Sequence, residues 1–421
     1  MTDCCDSLDD ARELGLSRRS VLRGAAAAAG LGVTTSLFGS TFLQATYGAT
    51  RPSGNVLLLL SLRGAADGLS LVVPHSDPAY YAARPRIAVP KASLLAADAT
   101  FGLHPNLAPL LPMWNAGKVA AVHATGLAVP NRSHFAAMEE LEDADPGSSA
   151  RIGWINRLIG QDAYTNPLQA VGLGMSVPIT ALYGPERTVC TESIDDMALA
   201  GDDQWDTGHR RPLSMQTMWA EAPGPLGDGA RSALGAIKDF APVKAISTTP
   251  ANGAAYGNDD LGKALQAAAR IVRGDIGADV IAVDHDGGWD MHTDLGTLGW
   301  GRMINAATQL STNLAAFFTD LGALGDKVTV VAISEFGRRV KENASYGLDH
   351  GHGNVMFLLG GGVKGGYYGT MPALQNTLDA DLGVTTDYRS VLSEVVTKRM
   401  GASTAAIFPG FAPEAVGAIS A

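Results

Sequence analysis

"NVLLLLSLRGAADG", residues 55–68, is the stretch on which the fold reading turns: Val56 to Leu62 is apolar but for one serine, and it stops at Arg63-Gly64 in a turn ending with Asp67-Gly68. An uninterrupted apolar run of this length, bounded by turn residues, suits a strand covered on both faces. The pattern returns in "KVAAVHA" (118–124), "ADVIAVDH" (278–285), "KVTVVAIS" (327–334) and "NVMFLLGG" (354–361), each with polar or glycine residues just beyond its end. Between two of these runs, Met303, Ala307, Leu310, Leu314, Phe317 and Leu321 recur at helical spacing and mark one apolar stripe. An earlier stripe joins Leu261, Ala264, Leu265, Ala268 and Val272, with Asp259 or Asp260 placed to cap it. Strand, helix and strand in this order predict an α/β fold, a mostly parallel central sheet with helices on both faces.

The bulk composition agrees with that expectation. The chain has 421 residues, 46% hydrophobic and 17% charged, enough apolar surface for a large core. With 31 Lys plus Arg against 42 Asp plus Glu, the net charge of −11 and the lack of a basic cluster exclude a nucleic-acid footprint of the usual kind. That balance leaves an anionic substrate open, because a bound cation can reverse the local field. Residues 50–421 read as one domain, with a Gly-, Pro- and Asp-rich, loop-rich insertion near 180–258. The glycine-rich "GGGVKGGYYG" (360–369) lacks the spacing of a phosphate loop and reads as a flexible loop.

The first 49 residues read differently. "LSRRSVLRGAAAAAGLG" sets Arg18-Arg19 before a charge-free stretch from about Gly24 to Leu43, and it resembles a bacterial twin-arginine export signal. The competing reading is a membrane anchor, since some twenty uncharged residues can span a bilayer. Ala, Gly, Ser and Thr dominate the stretch, which favours cleavage near Ala45 or Ala49 and no stable span afterwards. The resemblance implies a periplasmic or extracellular protein that meets the twin-arginine translocation machinery already folded. Cys4 and Cys5 would leave with the signal, so Cys190 remains without a disulfide partner and reads as a small core residue. Its surroundings, "RTVCTES", lack the Cys-x-Pro-x-Arg pattern of formylglycine sulfatases.

In an open α/β sheet, ligands bind beyond the carboxyl ends of the strands. The residues just past each apolar run are chemically consistent. They are Asp67; His123, with Ser133 and His134 further on; Asp284 to His292 in "DHDGGWDMH"; Glu335 in "SEFGRR"; and, before the last run, "DHGHG" with Asp349, His350 and His352. Seven of the nine histidines lie in or near these loops when His104 is included. Carboxylates with imidazoles suit zinc, manganese or iron, where oxygens by themselves would suggest magnesium or calcium.

Each candidate also has a structural reading. Asp67 can supply an Asp-Gly bend. Ser133 can be the N-cap of a helix beginning "SHFAAMEELE", a place that also favours a bound anion. His104 and His123 read as structural, whereas two imidazoles among glycines in "DHGHG" point to ligands. A carboxylate such as Glu335 at the end of a buried strand needs a metal or a cation such as Arg338 to offset its burial.

The segments "LLLLSLRGAADGLSLVVP", "FGLHPNLAPLLPMW", "RSHFAAME", "DHDGGWDMHTD", "SEFGRR", "DHGHGNVMFLLGGGVKGG" and "DYRSVLSEVV" together resemble the exported bacterial family called domain of unknown function 1501. That family is more distantly similar to the alkaline phosphatase and sulfatase superfamily. The resemblance implies an alkaline phosphatase-like domain with one or two divalent ions, zinc or manganese, at the carboxyl rim. By motif order, Asp67, Asp286 or Asp290 together with His292, Glu335, and His350 or His352 resemble metal ligands, and Ser133 resembles a nucleophile. There is one departure, because Phe336 stands where the superfamily has a histidine after the acidic ligand, and a phenyl ring cannot coordinate. Another histidine, one ion instead of two, or a degenerate site would each account for it, and Arg338 would then grip an anionic group.

The expected function is a metal-dependent hydrolase of phosphate or sulfate esters using Ser133 as nucleophile. Its substrate would be a small anionic ester or an ester linked to a polysaccharide or lipid. The alternative is a non-catalytic exported binding or assembly protein that keeps the fold around a degenerate metal site.

Overall fold

In the computed structural model, residues 42–43, 51–164 and 166–420 are described. The export signal expected over residues 1–49 therefore lies outside the described residues, except for Phe42–Leu43. Among the described residues, no helix is long and apolar enough to cross a membrane.

The strands in chain order are β1 (Phe42–Leu43), β2 (Val56–Leu62), β3 (Val72–Val73), β4 (Gly102–Leu103), β5 (Val119–Gly126), β6 (Ala170–Leu173), β7 (Val189–Thr191), β8 (Val280–His285), β9 (Val328–Ile333), β10 (Asn354–Gly360), β11 (Gly366–Tyr368) and β12 (Thr386–Asp387). β3 and β4 pair with each other. The others form a ten-stranded sheet in the order β1-β7-β6-β8-β2-β9-β10-β5-β11, with β12 also on β5. The apolar run from which the reading started is the centre of this sheet. Its Leu57 lies beside Val280 on one neighbour and Thr329 on the other, both parallel. Two strands run against the rest: β1 against β7, and β10 against both β9 and β5.

The helices that matter for the site are α1 (His134–Asp143), α2 (Trp154–Ile159), α3 (Arg210–Trp219), α4 (Gly224–Asp239), α5 (Asp260–Gly274), α6 (Arg302–Leu321) and α7 (Tyr388–Lys398). Leu58 and Leu60 of β2 pack with Leu261, Leu265, Leu310 and Leu314, the stripes of α5 and α6. Leu57 and Leu59 point the other way, into a layer with Trp154, Leu392 and Val395 from α2 and α7. Every residue of β2 is buried, so the run of leucines without polar alternation follows from having helices on both faces. Of the two aspartates the sequence offers as cap, Asp259 caps α5, its side chain accepting from the Gly262 amide.

Two expectations change. The region 180–258, read as loop-rich, contains α3 and α4. The stripe of α4 that faces inward is Ala230, Ala233 and Ala236, small residues that give a weak periodic signal among glycines. The glycine-rich 360–369 segment, read as a flexible loop, ends in β11, which pairs in parallel with β5.

Candidate metal centre

The antiparallel course of β10 decides how the site is assembled. Segments that follow β5, β8 and β9 leave from the carboxyl rim, and the "DHGHG" segment that precedes β10 arrives at that same rim because β10 runs backwards. The backbone then locks the loops together. The Gly351 amide donates to the Gly337 carbonyl at 2.8 Å, Gly337 donates to His352 at 2.8 Å, and Arg339 donates to Asp349 at 2.9 Å.

Three imidazoles meet there. His134, the first residue of α1, has its Nε2 2.9 Å from His350 Nε2, and His292 Nε2 lies 2.9 Å from the same atom. Asp290 Oδ1 stands 3.2 Å from His292 Nε2, 3.7 Å from His350 Nε2 and 3.8 Å from His134 Nε2. On the far side of each ring the Nδ1 faces an acceptor: Glu335 Oε1 at 2.7 Å from His134, Asp349 Oδ1 at 3.2 Å from His292, and the Arg132 carbonyl at 2.9 Å from His350. A carboxylate oxygen without a proton or a carbonyl oxygen can only accept, so each Nδ1 carries a hydrogen, and it is Nε2 of each ring that turns inward as the atom able to offer a lone pair.

Three lone pairs and a carboxylate oxygen facing one another repel unless a cation lies between them. Metal-binding imidazoles commonly have their second nitrogen anchored by a carboxylate or carbonyl in this way. Zinc–nitrogen bonds of about 2.0–2.1 Å at angles near 90–110° set ligand nitrogens about 2.9–3.4 Å apart, and the pairs here fall at the short end of that range. His134, Asp290 and His350 therefore fit a divalent ion, with His292 beside them.

The electrostatics of the neighbours favour the ligating forms. Burial pushes Glu335 up, but hydrogen bonds from His134, backbone amides including Gly64, and Ser334 hold its carboxyl below the ordinary range. Asp290 is likewise pushed up by burial and brought lower still by Arg338, His292 and His134. For His350, burial and the nearby charge of Arg338 lower the pKa, so the ring is neutral at pH 7. Gly64 is required where it stands. Its φ is +107°, and a Cβ there would lie 2.7 Å from the Asp290 amide nitrogen, so any side chain would displace the loop that carries Asp290 and His292.

The structure brings Asp290, His292 and His350 together and places several other candidates elsewhere. Glu335 sits behind His134, orienting the ring, and is not itself among the converging donors. Asp67, expected as a ligand, is buried and takes both oxygens to Arg84, 2.5 and 3.0 Å from its guanidinium nitrogens, so its charge is already matched. His352 turns its Nε2 to the Leu127 carbonyl at 2.8 Å. Asp286 is exposed and lies outside the His134, Asp290 and His350 group. Arg338, expected to grip an anion, is almost wholly buried and donates to the carbonyls of Ala65, Leu348 and Gly64 and to Asp290 Oδ1 at 2.5 Å. It therefore positions Asp290. Ser133 is the exposed N-cap of α1, its side chain making no capping bond, one residue before His134. His134 and Asp349 stand among the rim residues that the sequence brings forward but outside its expected ligand set; the imidazole directly after the capping serine is the signal for His134.

Residues 243–393 match the family described as "Protein of unknown function (DUF1501)", the family that the sequence motifs resemble. No curated protein matches the chain. Among solved structures, a mutant of the alkaline phosphatase PafA is similar at 11% identity and a TM-score of 0.35, over 70% of this chain and 65% of that one. The chain thus spans just under two thirds of that phosphatase. The C-terminal periplasmic domain of EcEptC from Escherichia coli, in complex with zinc, is similar at 10% identity and a TM-score of 0.34, over 75% of this chain and 77% of that one. The lipoteichoic acid synthase LtaP from Listeria monocytogenes gives 9% and 0.31, over 80% and 74%.

Proposed function

We propose that the protein is an exported, single-ion metallohydrolase of phosphate or sulfate esters, with His134, His350 and Asp290 holding the ion and His292 beside them. The observation that carries this reading is the set of three inward-facing Nε2 atoms, each with its Nδ1 fixed by an oxygen. When bound, such an ion supplies Lewis-acid polarisation of the ester and lowers the pKa of a nearby hydroxyl or water. Glu335 and Asp349 keep two of the rings in the ligating tautomer. Arg338 keeps Asp290 ionised and in place. Ser133 offers an exposed hydroxyl at a helix N-terminus, where partial positive charge favours an anionic group. The Arg18-Arg19 stretch supports export to the periplasm or beyond through the twin-arginine machinery.

The test is the metal content of the purified protein and of a His350→Ala variant after equilibration with zinc and, separately, manganese. Aryl phosphate and sulfate hydrolysis is then measured for both and for Ser133→Ala. Stoichiometric metal that is lost in His350→Ala, with turnover that follows it, supports the reading; a wild-type protein that takes up neither ion overturns it.

The Asp67–Arg84 pair favours a second reading, because it and the engaged Arg338 leave, among the described residues, no second ion site at Asp67 and no clamp at Arg338 of the kind the sequence suggested. On that reading the chain binds one ion and an anionic ligand without turnover. Bound metal with no hydrolysis of any ester tested would select it.

A further inference from the structure

Residues 379–382 form neither helix nor strand, yet their carbonyls are spent on the loops of the rim. The Asp379 carbonyl accepts from Arg339 Nη1, the Ala380 carbonyl from the Val340 amide at 3.0 Å, and the Leu382 carbonyl from the Gly353 amide at 2.8 Å. Val340 and Gly353 stand on either side of the stretch that carries Asp349 and His350. The segment therefore fastens that stretch at both ends.

The Asp381 side chain adds a tie that these carbonyls do not supply. One of its oxygens accepts from Arg132 Nη2 and the other from Arg339 Nη1 at 3.0 Å. Each of these arginines meets the surroundings of His350 through its own backbone. The Arg132 carbonyl faces His350 Nδ1 at 2.9 Å, and the Arg339 amide donates at 2.9 Å to the Asp349 carbonyl, which belongs to the peptide unit directly before His350. One carboxylate thus joins the two groups that hold His350, the ring whose Nε2 lies 2.9 Å from both His134 and His292. Arg132 also stands two residues before His134. Among the described residues, no backbone-to-backbone hydrogen bond involves 128–132, so side chains must fasten that loop, and the Arg132–Asp381 pair does so.

We infer that Asp381 is a positioning residue of the metal centre, which through Arg132 and Arg339 holds the His350 ring in its ligating orientation. The inference rests on the metal-centre reading proposed above. A ligand works only when it is held within about 0.5 Å of its productive place, by neighbours that are themselves locked. If the Arg132 peptide drifts, His350 Nδ1 loses its acceptor and the Nε2 on the other side of the ring is free to swing away from the ion.

The test titrates cobalt(II), and separately zinc, into the full chain and follows the visible cobalt band, whose position and strength report the ligand geometry. Asp381→Asn should weaken the affinity for both ions roughly tenfold and alter the band, and Asp381→Glu should restore most of both. Arg132→Gln should weaken binding as well, and adding it to Asp381→Asn should weaken it no further, because the two side chains act as one pair. Ion pairs this accessible to water add little to the fold, so the urea midpoint of the metal-free chain should hardly move in either variant. Asp326→Asn, which breaks the exposed pair with Lys118 at the opposite rim, is the control and should bind cobalt as the wild type does. Wild-type affinity and an unchanged band in Asp381→Asn overturn the inference while leaving the metal centre standing, as does a loss of binding matched by an equal loss of metal-free stability. A wild-type chain that binds neither ion overturns the metal centre itself, and the role of Asp381 falls with it.

Discussion

Replacing Glu335 by Gln isolates what a carboxylate behind an imidazole contributes. The amide side chain would keep the shape and an oxygen able to accept from His134 Nδ1, at 2.7 Å in the structure, and from the Gly64 amide at 2.9 Å. It would lose the negative charge that makes the imidazole a better donor to a cation. Removing such an orienting partner typically weakens metal affinity about 10–100-fold, or about 1.4–2.7 kcal/mol. At free zinc of about 100 times the wild-type Kd, zinc stabilises the folded chain by about 2.7 kcal/mol; in the variant the same zinc gives about 0.4–1.4 kcal/mol. For a chain of this size the difference is about 2–3 °C in melting temperature. Calorimetric melting of both proteins with and without zinc, compared as the zinc-dependent part only, removes any effect of the substitution on the metal-free fold. If Glu335→Gln gains as much from zinc as the wild type, Glu335 does not act through His134, and the argument from anchored Nδ1 atoms fails.

Other outcomes follow from the buried charges. Arg84→Met leaves buried Asp67 without its ion-pair partner and should cost about 3–5 kcal/mol in urea unfolding, whereas Arg84→Met with Asp67→Leu should recover most of that loss. Gly64→Ala should lower zinc uptake while the sheet stays folded, as read by far-ultraviolet circular dichroism with metal analysis, because the new methyl group meets the Asp290 amide. Glu142 gives a pH dependence. Burial pushes its carboxyl up to about 7 against the charge of Arg63, while the unfolded chain titrates near the ordinary value of about 4.3. The folded state then holds a proton that the unfolded state has released, so this contribution is full below about 4.3 and is lost as pH rises through about 7. Urea unfolding at pH 5 and 7.5 should show the wild type losing up to about 3 kcal/mol more than Glu142→Gln over that interval.

The strands were legible because burial on both faces writes itself into the chain as unbroken apolar runs, and the stripes of α5 and α6 because large residues recur at helical spacing. The Ala230, Ala233 and Ala236 face of α4 was not, since methyl groups among glycines give little contrast. At the site, the loops carrying Asp290, His292 and His350 could be read from position, as polar groups just beyond strands. Which side chain touches which could not. Asp67 stands at the end of β2 like a ligand, but Arg84, 17 residues later, folds back and neutralises it. His352 is two residues from His350, where an extended strand would set both rings on one face, but the segment bends at His352 and the two rings take different partners. The contribution of His134 lies in a ring orientation set by Glu335, 201 residues away.

The arginines explain why a cluster of carboxylates at one rim is stable in the absence of a basic surface. Arg84, Arg63 and Arg338 each hold carboxylates at the end of β2 or of a neighbouring strand, but with different consequences. Arg84 is fully buried with Asp67, so the pair is closed to ligands. Arg338 is equally buried, yet its partner Asp290 is about half exposed, at 49% of its side chain. A guanidinium stays charged at any physiological pH, so Arg338 fixes one oxygen of Asp290 as a carboxylate while leaving it open to the imidazoles and to solvent. The same type of pair therefore closes one candidate ligand and prepares another, and the difference is made by depth below the rim, not by residue type.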